Sequence, residues 1–439
     1  MGLPTWSEFA VFSERGSDDR HLVRVDMRSY ETDSPIGVCH SATEMTQKPN
    51  RGTKNVLIVH QSADLYGSDK VLLHLVEGLI QRGEFWPVII LPCHGPLLSA
   101  LEALGAEVHI RETAKISRAM ASPLGLFKLL RRSWRGVREL DHLMAGRTVN
   151  VVHSNTLVVL AGAAWAFRHR MPHLWHVHEL VLSPYSERRL FPALCLALST
   201  TVVANSEQTR RWLISEQPKL GAMTSVVFNG IPVPSHADDA AAQEFRKSVG
   251  VHANDVLVTL VGRISSRKGQ AVLLDAFAVL KRRGQLAGLK AVVVGGPAPG
   301  QQEMSAVLRA RAAELGLANS VHFRDFVEDI WPVWFASDIA TVPSTEPESF
   351  GLVAIEAMAA GVPVIASRQG GLVDIIEDGL CGLLVDPNNP DALADAIETL
   401  AKDPVRRRQI GDQGRLRQRE NFSFGAYVDG MSEIYRSLT

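Results

Sequence analysis

Two α/β halves facing each other across a cleft are what this sequence predicts, and three observations carry the prediction. At 439 residues the chain is too long for a single hydrophobic core. Short β-rich apolar runs alternate with amphipathic helical stretches along most of it, the pattern of a parallel sheet with helices on both faces. The alternation lapses at Asn229-Gly230-Ile231-Pro232-Val233-Pro234, where two prolines and an Asn-Gly turn precede the polar run Ser-His-Ala-Asp-Asp, as in a hinge.

Taken in order, Met1–Asn50 is polar and aperiodic, so residues 1–53 are expected to be a disordered extension. The first domain, 54–234, opens with the buried strand Val56–Val59. Pro87–Leu91, Val108–Ile110, Val149–His153, Leu174–His178 and Val202–Ala204 follow as strands. Between them Leu97–Leu104, Leu124–Leu143 and Leu157–Phe167 read as helices. The second domain, 235–420, has strands at Val256–Val261, Lys290–Val294, Val321–Phe323, Ile339–Val342 and Val364–Ala366. Its helices are expected at Gln270–Arg282, Glu303–Leu315, Phe350–Ala360 and Pro390–Lys402. Residues 421–439 read as a C-terminal helix that crosses back to the first domain. Each half is thus Rossmann-like, an architecture that dehydrogenases, epimerases and transferases share.

Composition narrows the setting. Hydrophobic content of 46% and charged content of 21% are those of a soluble globular chain. A formal net charge of −1 gives no global attraction to nucleic acid or acidic lipid. Cys39, Cys93, Cys195 and Cys381 lie far apart in sequence, with neither disulfide nor zinc spacing, which suits a reducing cytoplasm. The first twenty residues have no hydrophobic stretch of the secretory kind. The uncharged runs Thr148–Phe167 and Leu190–Ser206 are interrupted by His153-Ser154-Asn155 and by Pro192 with Ser199-Thr200-Thr201. The expected location is therefore cytoplasmic, at most peripheral on the inner face of the membrane.

The segment Pro343-Ser344-Thr345-Glu346-Pro347-Glu348-Ser349-Phe350-Gly351-Leu352 joins a strand to a helix. With Ser349 as N-cap, the amides of Phe350, Gly351 and Leu352 point into the crevice at the carboxyl end of the sheet, where a diphosphate finds orphan donors and a favourable dipole. Gly351 lets a ligand approach the backbone. Glu348 lies outside the helix and Glu356 two turns inside it, so the two meet different parts of one elongated ligand: sugar hydroxyls and ribose. Against a purely structural reading stands the setting of Glu356, between Ile355 and Ala357-Met358-Ala359-Ala360, where a carboxylate needs a partner.

Glu348 and Glu356, with Phe350-Gly351, Glu356-Ala357-Met358-Ala359, Gly361-Val362-Pro363-Val364-Ile365-Ala366 and Gly370-Gly371, resemble the signature of family 4 (group 1) glycosyltransferases. The resemblance covers about Lys54 to Thr439. It implies the GT-B fold, a retaining reaction and a nucleotide diphosphate sugar as donor. It also implies a glycan or lipid-linked glycan acceptor and no metal cofactor.

The remaining constellations are read beside that resemblance. Gly262-Arg263-Ile264-Ser265-Ser266-Arg267-Lys268-Gly269 is a Gly-bounded loop with three cations, suited to an anion. It is similar to the family's Gly-Arg-…-Lys-Gly, which makes Arg263 and Lys268 the diphosphate grip and Arg267 a bystander. Fixed cations and helix amides stabilise a departing diphosphate without a divalent ion, and no Asp-x-Asp motif is present. In Trp175-His176-Val177-His178-Glu179 the two histidines share one strand face. A metal site and a structural pair are the rival readings; the resemblance makes His178, ahead of His176, the residue that contacts the donor sugar. Asp64-Leu65-Tyr66-Gly67-Ser68-Asp69-Lys70 resembles the family's first Gly-rich loop but departs from its Gly-Gly-Ala-Glu form, with Gly67 as the donor-side glycine. Val294-Gly295-Gly296 resembles the glycine turn of the donor domain, with Gly296 toward the ligand, while Pro297 and Pro299 argue against a dinucleotide fingerprint.

Residues 127–138 form an amphipathic stretch. Phe127, Leu130, Trp134 and Val137 share one face and Lys128, Arg131, Arg132, Arg135 and Arg138 the other, with seven basic against two acidic residues from Arg118 to Arg147. A solvated basic face is one reading; docking on an anionic membrane surface is the other. Sugar transfer thus stands first. A nucleotide-sugar 2-epimerase on the same scaffold and a non-catalytic sugar-nucleotide-binding partner are its alternatives.

Overall fold

In a computed structural model the described residues are 52–111, 123–298 and 300–439, with only the backbone of 123–130 described. The expected extension 1–53 falls almost wholly outside them, as do Cys39 and Pro299.

The first sheet holds β1 (Lys54–His60), β2 (Phe85–Leu91), β3 (Glu107–Ile110), β4 (Val151–Asn155), β5 (His173–Val177), β6 (Thr201–Ala204) and β7 (Thr224–Val226). They lie in the order β3-β2-β1-β4-β5-β6-β7, every pair parallel. The second holds β8 (Val256–Val261), β9 (Leu289–Val294), β10 (Val321–Arg324), β11 (Ile339–Val342), β12 (Val364–Ser367) and β13 (Leu383–Val385). Its order is β10-β9-β8-β11-β12-β13, again all parallel. Val56, Leu57, Ile58 and Val59 are all completely buried, as expected of strands covered on both faces. The strand order reverses between β1 and β4 and between β8 and β11. In open α/β sheets such switch points open a crevice beyond the carboxyl ends of the strands.

Two stretches of chain join the halves. Ile231 makes a β-bridge with Ser423, and a Cβ on Gly230 would come within 2.1 Å of the Ser423 carbonyl oxygen, so only glycine fits there. The helix Phe424–Leu438 then lies on the first half. Tyr435 packs its ring 5.3 Å from Phe85, Val428 fills the space a Cβ on Gly78 would need, and Arg436 pairs with Glu84 at 2.6 Å.

One expectation is corrected, and one that was open is narrowed. The helix over 350–360 is Leu352–Ala359, with Gly351 at its N-cap at φ 134° and no side chain capping it, so Ser349 is not the cap. Gly351 holds a conformation other residues resist, and that delays the helix by two positions. Trp134 does not join the buried face of its helix, Pro123–Leu143. Val137, Leu140 and Met144 are buried, but Trp134 is 62% exposed, with the Arg138 guanidinium 5.7 Å from its ring centroid. The ring meets a cation on its solvent side rather than the core.

Candidate functional site

The site is assembled from loops at the carboxyl ends of strands in both halves. After β8 the chain turns at Gly262 and passes through Arg263 to the short 3-10 turn Ser266–Lys268. Gly269 follows at φ 72°, where a Cβ would stand 1.9 Å from the Pro343 carbonyl oxygen. This close approach docks the β8 loop on the β11 loop, and Thr345 fastens the two through its amide to the Arg267 carbonyl at 2.9 Å. Arg267 pairs with Glu346 at 2.8 Å at the exposed rim.

Lys268 and Glu348 come together inside this junction, Nζ donating to Oε1 at 2.8 Å, and the Ser344 hydroxyl donates to the same oxygen. Burial opposes the charged form of Glu348. The Lys268 charge and hydrogen bond, with Ser344, outweigh it and hold the carboxyl below its ordinary range. Gly370 and Gly371 press on the backbone of 348–350, where a Cβ on Gly370 would meet the Glu348 carbonyl oxygen at 2.2 Å. Gly351 serves the same packing: a Cβ would meet Leu372 at 2.6 Å, so its freedom goes to the fold and not to an approaching ligand. Phe350 likewise is buried, its ring edge-on to Phe422 at 5.9 Å. The amides at the helix start are those of Leu352 and Val353.

Glu356 is buried in that helix and accepts a hydrogen bond from Trp334 Nε1 at 3.3 Å. Burial pushes its carboxyl up, and the charge of Lys70, from the helix Gly67–Arg82 of the other half, pulls it partly back. Lys70 is a residue that sequence reasoning did not single out. Gly296 lies where an added Cβ would meet nothing within 4 Å, so the β9 turn leaves open space there. Gly67, at φ 27°, likewise faces open space.

Arg263 reaches across the cleft: its guanidinium carbon lies 4.1 Å from the centroid of the Tyr66 ring, and Tyr66 also meets Phe326 edge-on at 6.1 Å. On the far side, Gln208 donates its backbone N–H to Asp374 at 3.0 Å and Asn205 Nδ2 approaches Ser349 Oγ at 3.5 Å. Asp374 thereby places a negative charge at the start of the helix Glu207–Glu216 from the opposite half.

The histidine pair of β5 divides. His176 is completely buried and its ring nitrogens have no hydrogen-bond partner; His178, with its ring 3.9 Å away, keeps 9% of its surface and bonds Asn155 through Nε2 at 2.8 Å. Burial, then the neighbouring His176 and His60, lowers the pKa of His178 well below the ordinary value, so the ring is neutral. Glu179 is pushed up to about 7 by burial, against the pull of the Leu157 and His178 amides that donate to it. Its oxygens are thus committed to backbone, and among the described residues no group of three or more His, Cys, Asp and Glu is placed to hold a metal ion.

The comparisons follow this geometry. A family model described as "Glycosyl transferases group 1" matches residues 241–417, and one described as "Glycosyltransferase Family 4" matches 66–233. The chain is 33% identical over 306 residues to the D-inositol 3-phosphate glycosyltransferase of Corynebacterium glutamicum, covering 66% of this chain and 72% of that one. It is 39% identical over 196 residues to the Rhodococcus opacus protein of the same name, 44% of either chain. Among solved structures it resembles Anabaena HepE in complex with UDP and glucose, at 26% identity and a TM-score of 0.74 over 87% of this chain and 99% of that one. A Rickettsia africae glycosyltransferase shares the fold, with a TM-score of 0.75 at 22% identity over 88% of this chain and 98% of that one. The epimerase alternative draws no support from these matches.

Proposed function

Since the chain belongs to the family 4 (group 1) glycosyltransferases, GT-B enzymes that use nucleotide sugars, we propose that it moves a hexose from a nucleotide diphosphate sugar to a hydroxyl of a glycan or lipid-linked glycan, with retention. HepE was solved with UDP-glucose, which makes UDP-glucose the first donor to try.

The observation that carries the reading is the Lys268–Glu348 pair at the β8/β11 switch point, with Arg263 in the same β8 loop and Glu356 buried in the helix that follows the β11 loop. In this reading Arg263 and Lys268 neutralise the diphosphate, assisted by the amides of Leu352 and Val353. Glu348 accepts a sugar hydroxyl through Oε2, the oxygen that Lys268 and Ser344 do not use. Glu356 accepts from the ribose and His178 meets the sugar from the other half. The acceptor oxygen bonds to the anomeric carbon on the face the diphosphate leaves. The bond from that carbon to the phosphate oxygen breaks, and the hydroxyl proton passes to the departing phosphate. The charge that develops there falls between Arg263 and Lys268.

The basic helix bears on the acceptor. Arg131, Arg132, Arg135 and Arg138 are exposed beside the exposed Trp134, an arrangement that fits docking on anionic lipid carrying a lipid-linked acceptor. No described helix is long and apolar enough to cross a membrane.

Product analysis tests the main reading. The protein is incubated with single nucleotide sugars, with and without simple glycosides or lipid-linked acceptors. Acceptor-dependent release of nucleotide diphosphate, with the product linkage matching the donor anomer by NMR, is expected. An isomerised donor or an inverted linkage overturns it.

A further inference from the structure

A line of buried side chains leads from the first helix to His178. Asp69 Oδ1 lies 2.7 Å from His60 Nε2, His60 Nδ1 lies 2.9 Å from Asn155 Nδ2, and Asn155 Oδ1 lies 2.8 Å from His178 Nε2. Asp69, His60 and Asn155 are 4%, 0% and 1% exposed, so water does not rearrange these bonds. The line draws on three separate parts of the sequence: the ends of β1 and β4 and the first turn of the helix Gly67–Arg82.

Its polarity follows from one end. Asp69 also accepts the Ser62 hydroxyl at Oδ1 and the Tyr66 amide at Oδ2, 3.2 Å away. Burial works against its charge, yet the bonds from His60, Ser62 and Tyr66 hold the carboxyl below its ordinary range. An ionised carboxylate offers only lone pairs, so the hydrogen at this contact sits on His60 Nε2. The Asn155 amide NH2, which faces His60 Nδ1 at 2.9 Å, can only donate, so Nδ1 meets it with a lone pair. The Asn155 carbonyl oxygen is left facing His178 Nε2, and an oxygen acceptor demands a hydrogen there. With the Asn155 amide lying this way, each bond dictates the next.

We propose that Asp69, His60 and Asn155 are positioning residues that fix His178 as its Nε2–H tautomer, so that Nδ1 presents a lone pair. His178 then accepts a hydrogen bond from a substrate hydroxyl and does not donate one. The clause about substrate rests on the proposed function; the tautomer does not. The tautomer of a histidine is set by what its other nitrogen meets, and here that setting reaches His178 through three residues.

Ring-nitrogen NMR of the full chain labelled with 15N-histidine tests this, His178 being assigned by the signal lost in His178→Gln. The wild type is expected to show a protonated Nε2 and an unprotonated Nδ1 for His178. The amide that Asp69→Asn installs can donate to His60 Nε2, which reverses every bond and leaves His178 protonated at Nδ1. With the tautomer reversed, kcat is expected to fall about tenfold or more while the Kd for nucleotide diphosphate stays within about twofold, since the hydrogen bond is lost to the hydroxyl alone. A wild-type His178 protonated at Nδ1, or an unchanged tautomer in folded Asp69→Asn, overturns the relay. The wild-type spectrum decides it even if that variant does not fold. Full turnover by His178→Gln would instead sink the assignment of His178 to transfer and leave the tautomer result standing.

Discussion

Lys268 and Glu348 meet Nζ to Oε1 at 2.8 Å, across a junction where the β8 loop and the β11 loop lie too close for any side chain at Gly269. One ammonium thus serves two anions: the carboxylate it already pairs with and, in the proposed reaction, the diphosphate. Removing it should cost more than a surface cation would. Lys268→Ala and Arg263→Ala are each expected to lower kcat by about two orders of magnitude, the scale for one preorganised charge donor. Lys268→Ala should also move the acid limb of the pH profile upward. Glu348, held low in the wild type, keeps its charge and its contribution to stability until pH falls below the ordinary carboxylate value, and without Lys268 it loses both sooner. Initial rates from pH 4 to 8 read both effects.

Glu356 behaves in the opposite sense. A carboxyl raised by burial favours folding below its unfolded pKa, and that contribution is lost as pH rises through the folded value. Glu356→Gln removes the cost of the buried charge, so its melting temperature should exceed that of the wild type at pH 8 and match it near pH 4. Calorimetric titration should show weakened nucleotide binding for Glu356→Gln, while Glu348→Gln mainly impairs transfer. Equal affinities for both variants and the wild type would contradict that division.

Arg263, 4.1 Å from the Tyr66 ring, is expected to swing off that ring as it closes on a diphosphate. A cation–π contact at an exposed site is worth about 0.5–1 kcal/mol, so Tyr66→Ala should tighten nucleotide diphosphate binding about two- to fivefold. Unchanged or weaker binding would show that Tyr66 helps hold the ligand instead.

In the proposed reaction Arg263 and Lys268 neutralise the diphosphate in place of a divalent cation, so activity is expected to persist in EDTA. Loss on chelation with recovery in manganese would reassign the chemistry.

In the proposed docking on anionic lipid, Trp134 and its cationic neighbours make the contact. The wild type should sediment with anionic but not neutral vesicles at low salt and release at 1 M salt, where the Debye length is about 3 Å. Reversing Arg131 and Arg138 to Glu should abolish sedimentation with the melting temperature unchanged. A wild type that stays in the supernatant leaves this face merely solvated.

Much of the fold was legible because parallel strands buried on both faces announce themselves as short, largely apolar runs; β1, β8 and β11 are of this kind. The helices Tyr185–Leu198 and Glu207–Glu216 escaped notice, the first because Pro192 interrupts its pattern and the second because few of its residues are buried. Glu348 and Lys268 could be named because each lies in a loop that follows a strand and the resemblance to the family's motifs picks it out there. His60, Asn155 and Lys70 could not, since their partners lie elsewhere in the chain and no local period marks them. Ser349 was misread because a serine before an apolar run is the ordinary sign of a cap, and the backbone of Gly351 overrides it.

The helix Phe424–Leu438 lies on the first half of the molecule, its Tyr435 against Phe85 and in hydrogen-bond contact with His153. During synthesis the order of completion is therefore inverted. Domains usually mature in the order they emerge from the ribosome, yet this first lobe has a gap in its core until residues 424–438 have been made. The lobe encoded second can close first, while Phe85 and the small surface at Gly78 wait uncovered. A stop codon at the hinge would yield a lobe with an open seam, and a ribosome stalled after residue 420 would expose that seam to chaperones.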